Sequence, residues 1–392
     1  MRFARRLDQV PPYLFAELER QISAKTKAGI DVISLGIGDP DLPTPGAIVE
    51  AAAAATRDPG THRYPTNHGS DEFREAAAGF YRDRFGVELD PSSEVIPVLG
   101  GKEAVGHIAM ACLDPGDVCL SPEPGYPPYT SGPVFSGAEV HYLPLTEENG
   151  FFPDLAAVPE EVADRANLLY LDYPNNPTGA IVPEGAFADA VDFARRHELI
   201  LVHDNAYSEI CFDGYVAPSF LETDGAKEVG VEIFSLSKGW NMTGWRCGLV
   251  AGNAEVVEHF RQLKSNLDSG LFEALQQAAV VALTEERQFP RRMSEIYERR
   301  RDLVIGALAR IGLDVTPPKA TPYLWLRVPD GHTSESFASL VLEEANVVVS
   351  PGPGYGPSGE GFVRLSLTVP DERLEEAVRR IETSLRASII QA

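Results

Sequence analysis

Two stretches of the sequence, LLYLDYPNNPTG (residues 168–179) and LILVHDNAY (residues 199–207), indicate how the chain folds. Each begins with an apolar run without polar alternation, which is typical of a strand covered on both faces. Each then changes to polar and turn-forming residues. Further apolar runs occur between residues 95 and 252, separated by segments of helical periodicity. They are VIPVL (95–99), VCLS (118–121), VHYLPL (140–145), EIFSL (232–236) and CGLVAG (247–252).

This alternation predicts an α/β fold, with a mostly parallel sheet in a large domain and helices on both faces of that sheet. The last hundred residues contain a long helical segment, three short strands and a final helix, which predict a smaller α+β domain. We expect an N-terminal arm that joins the small domain (1–44), a large domain (45–272) and a small C-terminal domain (273–392). The predicted strands of the small domain are YLWLRV (323–328), NVVVSPG (346–352) and VRLSLT (363–368).

The composition excludes several classes of function. The chain has 392 residues and a formal net charge of −24, so neither nucleic acids nor anionic membranes are expected as partners. No apolar run reaches the roughly 20 residues of a membrane span, and the N-terminal segment lacks the apolar stretch of a signal peptide. The four cysteines are far apart and lack metal-site spacing. We therefore expect a cytoplasmic protein with reduced thiols and no metal.

A lysine in SLSKGWNMTGWRCG (235–248) is the first candidate for chemistry. Lys238 stands beside Ser235 and Ser237, and Arg246 follows eight residues later. A primary amine can form a Schiff base with an aldehyde, while hydroxyl groups and a guanidinium can hold a phosphate. The segment therefore suits a phosphorylated aldehyde as cofactor. The alternative interpretation is an exposed lysine in a serine-rich loop.

A carboxylate at the end of a predicted strand is the second candidate. Asp204 follows the apolar run of LILVHD, and burying it costs free energy unless it meets a cation or hydrogen-bond donors. Asp204 could cap a following helix. It could instead pair with a protonated ring nitrogen, whose pKa it would raise. Tyr207 could then donate to the phenolic oxygen of the same ring.

Two more segments follow predicted strands. NPTG (176–179) is compatible with a simple turn, because Asn, Pro and Gly are common turn formers. Gly100 and Gly101 stand between a strand and a helical segment, and a helix N-terminus attracts anions. Each signal is weak alone. Ligands of parallel sheets bind at the carboxyl ends of the strands, where all four segments are expected.

Together these segments resemble the fold-type I pyridoxal-phosphate aminotransferases of class I and II. The resemblance rests on the order NPTG, then Asp204 with Tyr207, then SLSK (235–238) with Arg246, and it extends over essentially the whole chain. It implies pyridoxal 5′-phosphate as cofactor and transfer of an amino group between amino acids and keto acids.

The resemblance also implies roles for individual residues. Lys238 would hold the cofactor as a Schiff base and would move a proton between the substrate α-carbon and the cofactor. The other residues would contact the ring or the phosphate: Asp204 the ring nitrogen, Asn176 and Tyr207 the phenolic oxygen, Tyr126 the ring face, and the backbone of Gly101 and Lys102 together with Ser235, Ser237 and Arg246 the phosphate.

Further segments are similar to family segments that contact the substrate or a second subunit. Arg364 in VRLSLT would bind the substrate α-carboxylate, because a planar guanidinium forms two parallel hydrogen bonds with a carboxylate. Tyr64 in HRYP (62–65) would reach the cofactor phosphate of the other subunit, and Asn266 would approach from that subunit too. An obligate homodimer with shared active sites is thus implied. The implied substrate-binding set is Ile37, Gly38, Lys102, Tyr126, Asn176, Asn266 and Arg364.

Among class I and II aminotransferases, the chain is most similar to the subfamily that acts on LL-diaminopimelate. Segments that carry this similarity include GIGDPDLPTP (36–45), EENGFFPDL (147–155) and LKSNLDSGLFEALQQAA (263–279). The implied reaction uses 2-oxoglutarate as amino acceptor and belongs to lysine biosynthesis, with Lys102 as a candidate ligand of the distal carboxylate. His68 and the pair Gly239 and Trp240 stand where the subfamily pattern has other residues, and both departures are expected near the site.

Two alternatives share every residue of the predicted cofactor site. An aspartate or aromatic aminotransferase of broader specificity would differ in the substrate pocket. A pyridoxal-phosphate-dependent C–S β-lyase would differ in the fate of the substrate carbanion, and it would release pyruvate and ammonia. A transcription regulator with an aminotransferase-like domain would need a basic DNA-binding segment, which the acidic sequence does not offer.

Overall fold

Twelve strands form within residues 3–10 and 14–390, the part of the chain that the computed structural model describes. In chain order they are β1 (Ile33–Ser34), β2 (Val95–Val98), β3 (Val118–Glu123), β4 (Glu139–Pro144), β5 (Ala166–Asp172), β6 (Ile200–Asn205), β7 (Gly230–Ser235), β8 (Gly248–Gly252), β9 (Tyr323–Arg327), β10 (Val347–Val348), β11 (Ser350–Pro351) and β12 (Phe362–Ser366). Every apolar run that the sequence predicted to be a strand overlaps at least one of them.

The α-helices lie between these strands and on both sides of them. They are α1 (Leu14–Lys27), α2 (Gly46–Arg57), α3 (Asp71–Phe85), α4 (Gly101–Cys112), α5 (Pro128–Ser136), α6 (Glu160–Ala163), α7 (Ala186–Arg196), α8 (Ala226–Val229), α9 (Leu236–Gly239), α10 (Ala254–Leu267), α11 (Glu273–Thr284), α12 (Phe289–Ala309), α13 (Ser334–Ala345) and α14 (Asp371–Ile390). No described helix is long and apolar enough to cross a lipid bilayer.

Seven strands form the large sheet, in the spatial order β2-β8-β7-β6-β5-β3-β4. The strands from β7 to β4 run parallel to their neighbours, whereas β8 is antiparallel to both β7 and β2. The predicted mostly parallel sheet is therefore confirmed.

Two apolar clusters cover the two faces of this sheet. Leu169 and Leu171 of β5 pack in the cluster that includes side chains of α3, α7 and α11. Leu168 and Tyr170 of the same strand pack in the cluster that includes α4, α5 and α10. Because successive side chains of a strand point to opposite faces, a strand that lies between two such clusters must be apolar throughout.

The helix α3 shows how the local sequence determines where a helix that packs on the large sheet begins and ends. The Ser70 hydroxyl caps its first turn by accepting a hydrogen bond from the Phe73 amide, and Gly86 ends it with a φ of 68°. Phe73, Phe80 and other side chains on one face are buried against the sheet. Each fully buried phenylalanine contributes roughly 1.5–3 kcal/mol.

A second group of elements packs around a separate cluster. The antiparallel sheet β11-β12-β9, the parallel pair β1-β10 and the helices α12, α13 and α14 contribute to it. The helix α11 instead packs with α2 and α3 against the large sheet. The domain boundaries predicted after residues 44 and 272 stay predictions. The packing of α11 favours placing the second boundary after Thr284.

The carboxyl ends of three central strands meet at one edge of the large sheet. Asp172, at the end of β5, lies opposite Asp204 of β6, and Asn205 lies opposite Phe234 of β7. Ser235 then ends β7. The polar residues that follow the apolar runs in the sequence are thus neighbours in space.

Candidate active site

A cavity of about 350 Å³ opens at this edge, between the ends of the large-sheet strands and β12. All of the predicted site residues except Tyr64 and Asn266 line it. These residues are Ile37, Gly38, Gly101, Lys102, Tyr126, Asn176, Asp204, Tyr207, Ser235, Ser237, Lys238, Arg246 and Arg364.

Lys238 reaches the cavity from the single helical turn α9, which directly follows β7. The hydroxyl of Ser235 caps this turn by accepting a hydrogen bond from the Ser237 amide, at 3.2 Å. The Lys238 Nζ donates to the carbonyl oxygen of Gly38, at 2.5 Å. The amine is therefore held inside the cavity, where it can act as a nucleophile or carry a proton.

Two buried carboxylates, Asp204 and Asp172, lie side by side at the base of the cavity. The Tyr129 hydroxyl donates to Asp204 Oδ2 at 2.8 Å, while Asp204 Oδ1 is buried and has no hydrogen-bond partner among the described residues. Burial raises the pKa of Asp204 to about 6, although the bond from Tyr129 and the charge of His203 oppose this. Burial and the neighbouring Asp204 raise the pKa of Asp172 well above its usual range.

Behind Asp204 lies a buried pair, His203 and Glu232. His203 Nδ1 is 2.9 Å from Glu232 Oε2, and Nε2 is 2.8 Å from the carbonyl oxygen of Tyr173. Both partners can only accept hydrogen bonds, so each ring nitrogen carries a hydrogen and the imidazole is positively charged. A positive charge adjacent in sequence to Asp204 favours the ionised form of that carboxyl.

The N-terminus of α4 and Arg246 form the part of the cavity that suits an anion. A Cβ atom on Gly100, whose φ is 82°, would overlap the Arg246 guanidinium, so only glycine permits this approach. Arg246 itself has a left-handed backbone with a φ of 53°, a strained conformation that is typical of ligand sites. Its Nη1 donates to the Thr243 carbonyl oxygen at 2.9 Å.

Arg364 approaches the cavity from β12 and is only 1% exposed. Its Nη1 donates to Asn176 Oδ1 at 2.7 Å, and its Nη2 donates to the Gly36 carbonyl oxygen at 2.9 Å. The guanidinium lies 4.0 Å from the centre of the Tyr323 ring. These contacts fix a buried positive charge beside the cavity, as a site for a substrate carboxylate requires.

The sequence analysis missed seven cavity residues, which are Glu19, Asp39, Tyr129, Asp172, Ala206, Thr243 and Tyr323. Asp172 ends an apolar strand just as Asp204 does, so the rule that identified one carboxylate could have identified the other. Tyr129, in EPGYPPY (123–129), and Tyr323, in YLWLRV, stand among other aromatic or apolar residues. No signal in the sequence distinguishes these two tyrosines from residues of the core.

Two predicted residues do not reach the cavity of their own chain. The side chain of Tyr64 is 88% exposed, and Asn266 Nδ2 donates to the Gln262 carbonyl oxygen within α10. Their contact with a second subunit stays a prediction. The expectation that His68 lies near the site stays a prediction, whereas the side chain of Trp240 is directed away from the cavity. Neither lines the cavity, and Trp240 is a core residue whose Nε1 donates to the Glu286 carbonyl oxygen at 3.0 Å.

One acidic cluster near the cavity has the composition of a metal site but already has a cation. Glu103, His107 and Asp268 lie close together. The buried Lys264 Nζ is 3.2 Å from Glu103 and 3.0 Å from Asp268. Glu103 also accepts from the Leu99 amide at 2.9 Å. The ammonium pairs with both carboxylates, so the cluster links α10 to the start of α4.

The cavity residues fit the cofactor that the family resemblance implies. The unsatisfied Asp204 Oδ1 suits the N–H of a cationic aromatic ring, because a buried carboxylate oxygen without a donor is costly. The amine of Lys238 suits an aldehyde. Arg246, the serine hydroxyls and the N-terminus of α4 suit a phosphate. Pyridoxal phosphate combines these three groups in one molecule.

Comparisons with known proteins agree with this fit. The aminotransferase class I and II family model matches residues 30–381. An LL-diaminopimelate aminotransferase from Desulforudis audaxviator is 52% identical over 97% of both chains. Substrate-bound BacF from Bacillus subtilis superposes with a TM-score of 0.95 and 37% identity over 98% of both chains. Aspartate aminotransferase from Thermus thermophilus superposes with a TM-score of 0.91. It is 31% identical, and the match covers 98% of this chain and 100% of the other. The chain therefore belongs to the class I and II aminotransferase family, and it is a pyridoxal-phosphate-dependent enzyme of transamination.

Proposed function

We propose that this aminotransferase transfers an amino group from LL-diaminopimelate to 2-oxoglutarate, in lysine biosynthesis. The observation that carries the proposal is its similarity to LL-diaminopimelate aminotransferases, at 52% identity for Desulforudis audaxviator and 48% for Moorella thermoacetica over nearly full length. Aspartate aminotransferase from Thermus thermophilus is 31% identical. The lysine pathway would be cytoplasmic, and that location stays a prediction.

Each group around the cavity has a proposed task. Pyridoxal phosphate, when bound, supplies an electron sink beside the substrate α-carbon. Arg364 binds the α-carboxylate and so orients the substrate. The Lys238 amine holds and moves the proton of the α-carbon. Asp204 holds the ring nitrogen in its protonated state, while Asn176 and Tyr207 donate to the phenolic oxygen.

The remaining proposed contacts anchor the cofactor. Tyr126 covers the ring face. The phosphate is bound by backbone amides and side chains from the start of α4 (Gly101 and Lys102), the passage from β7 into α9 (Ser235 and Ser237) and the segment just before β8 (Arg246). Because these donors come from three separate segments, the cofactor is held by the fold of the large sheet rather than by one loop.

The charges at the cavity mouth support a substrate with two amino-acid ends. LL-diaminopimelate carries a second carboxylate and a second ammonium, and an unmatched charge in a closed site is costly. Lys102 is the proposed ligand of the distal carboxylate. Glu19 of α1 and Asp39 also line the cavity, and either carboxylate can pair with a distal ammonium. Ile37 and Gly38 complete this part of the wall.

A homodimer with shared active sites is part of the proposal. Tyr64 is a large aromatic residue that is 88% exposed, and Leu267, which follows Asn266, and Phe272 are further exposed apolar residues. Gly270 lies close to Pro65, so the segments that carry Tyr64 and Asn266 are neighbours. A second copy of the chain would cover this surface, and Tyr64 of one copy would reach the cofactor phosphate of the other.

A half-reaction screen tests the substrate. The holoenzyme is mixed with single amino acids, and the change in its visible spectrum measures amino transfer. LL-diaminopimelate should exceed aspartate and phenylalanine in kcat/KM. In the complete reaction with 2-oxoglutarate added, the glutamate formed should equal the LL-diaminopimelate consumed. A higher kcat/KM with aspartate or phenylalanine would refute the substrate proposal, and release of pyruvate with ammonia would indicate a lyase.

Two further experiments test the site residues. Borohydride treatment of the holoenzyme and peptide mapping should place the pyridoxyl mass on Lys238, and a label on another lysine would contradict the assignment. Mixed dimers of Tyr64→Phe and Lys238→Ala should contain one intact site and one doubly defective site. Activity no higher than in the separate mutants, after verified subunit exchange, would mean that Tyr64 acts within its own chain.

A further inference from the structure

Tyr323 contacts two of the proposed active-site residues at once. It lies at the start of β9, and its hydroxyl is 2.9 Å from the hydroxyl of Tyr207. Its ring lies against the guanidinium of Arg364, 4.0 Å from its central carbon. Tyr323 therefore connects the group proposed for the phenolic oxygen of the cofactor with the group proposed for the substrate carboxylate.

The hydrogens of the two phenols can be counted. A tyrosine hydroxyl has one hydrogen and can donate one bond. If Tyr207 donates to the phenolic oxygen, the 2.9 Å contact can only be a bond that Tyr323 donates to Tyr207. We propose that Tyr323 is a positioning residue, which aligns and strengthens the bond from Tyr207 to the cofactor. This inference rests on the proposed role of Tyr207.

The surroundings of the pair favour Tyr323 as the donor. Burial acts to raise the pKa of Tyr323, but the charges of Lys238 and Arg364, together with the hydrogen bond to Tyr207, outweigh it, and the pKa is lowered. Burial raises the pKa of Tyr207 well above its usual range. Asp172 and the phenol of Tyr297 are the other titratable groups that face the pair. The more acidic phenol is the stronger donor, and consecutive hydrogen bonds strengthen each other.

Gly38 fixes the position of the Tyr323 hydroxyl from the opposite side. A Cβ atom at residue 38 would overlap this hydroxyl, so the close approach needs glycine. The Gly38 carbonyl oxygen also accepts from Lys238 Nζ, at 2.5 Å. One glycine thus places both the catalytic amine and the proposed donor to Tyr207.

The visible absorption of the holoenzyme as a function of pH tests the inference. A hydrogen bond to the phenolic oxygen lowers the pH midpoint at which the bound chromophore loses its proton. Tyr323→Phe should raise this midpoint by about 0.3–1 unit, because it weakens the bond that Tyr207 makes. Tyr207→Phe should raise it further, and the double variant should match Tyr207→Phe. Tyr297→Phe is the matched control and should leave the midpoint unchanged.

The four variants separate two kinds of failure. An unchanged midpoint in Tyr207→Phe would refute the proposed role of Tyr207 itself. A shift in Tyr207→Phe together with no shift in Tyr323→Phe, or shifts that add in the double variant, would refute the role of Tyr323 alone. If Tyr323→Phe does not retain cofactor, 3-fluorotyrosine at this position preserves the shape with a more acidic phenol. It should lower the midpoint, and an unchanged midpoint would overturn the inference.

Discussion

Two buried carboxylates on neighbouring strands of the large sheet have opposite environments. Glu232 on β7 accepts five hydrogen bonds; the donors are Tyr81, His203, Asn205, Ser219 and the Phe220 amide. Asp204 on β6 accepts one from Tyr129, and its Oδ1 has no partner in the described part of the chain. Both groups are buried, with Glu232 0% and Asp204 6% exposed, but they differ in the number of their donors.

The two pKa values follow from this difference. Burial acts to raise the pKa of Glu232, yet the hydrogen bond and charge of His203 and the other donors outweigh it, and the pKa is lowered. For Asp204 burial prevails and the pKa rises to about 6. A carboxylate whose oxygens are all occupied stabilises the fold. A buried carboxylate that faces a cavity with one oxygen lacking a donor can accept a hydrogen bond from a ligand.

The largest expected effect concerns stability and Glu232. Glu232→Gln removes the charge that matches the His203 imidazolium, and breaking a buried pair in this way typically costs about 3–5 kcal/mol. Denaturant unfolding measures the loss. Glu228→Gln, in an exposed ion pair with Arg195, is the control and should change stability by less than about 0.5 kcal/mol. Equal stability of the two variants would mean that the Glu232 network does not stabilise the fold.

The next effect concerns catalysis and Asp204. Asp204→Asn keeps the shape but removes the charge that would face the ring nitrogen, and kcat/KM should fall by about 10²–10³-fold, as for other preorganised electrostatic contacts. Unlike Glu232→Gln, this variant should unfold at a denaturant concentration no lower than the wild type. Lost stability with retained kcat/KM would reverse the roles assigned to the two carboxylates.

The same comparison explains which features the sequence could predict. The strands, the two-sided sheet and most of the cavity residues follow from apolar runs and from the motifs that end them. Tyr129 and Tyr323 could not be predicted, because their roles depend on hydroxyl contacts with Asp204 and Tyr207, 75 and 116 residues away. Local sequence cannot distinguish a buried tyrosine with a polar partner from one that only packs.

Trp240 is a residue that the sequence predicted near the site but whose side chain lies in the core. Its position two residues after Lys238 suggested a place in the site, yet the chain turns at α9 and directs the indole into the core beside Phe80 and Phe234. Neighbours in sequence therefore share the site only where the backbone points both side chains the same way. The turn that presents Lys238 to the cavity removes Trp240 from it.

The pH dependence of the apoprotein would sharpen the comparison. The pKa of Asp204, about 6 in the folded state, lies above the value near 3.9 expected when unfolded. The folded state then binds the proton more tightly, so stability falls as pH rises from about 4 to 6. Relative to Asp204→Asn, wild-type apoprotein should lose on the order of 2 kcal/mol over this interval. Cofactor should abolish the difference, because it matches the charge.

A pH-independent difference between wild type and Asp204→Asn would mean that Asp204 is already satisfied in the apoprotein. Asp172 titrates with Asp204 because the two carboxylates lie side by side. Asp172→Asn is therefore the matched control. It should reduce the pH dependence without removing it, since Asp204 remains buried.

The smallest expected effect concerns Glu19, a carboxylate at the cavity mouth that water reaches. Screening by water limits such a group to a weak contribution, so Glu19→Gln should lower kcat/KM for LL-diaminopimelate by about two- to fivefold. Glutamate lacks the distal ammonium, and its kcat/KM should not change. Glu17→Gln is the control on the same helix, since Glu17 pairs with Arg20 and lies outside the cavity. A loss shared equally by LL-diaminopimelate and glutamate would place Glu19 among residues that support the fold, as Glu232 does, rather than among those that face the ligand.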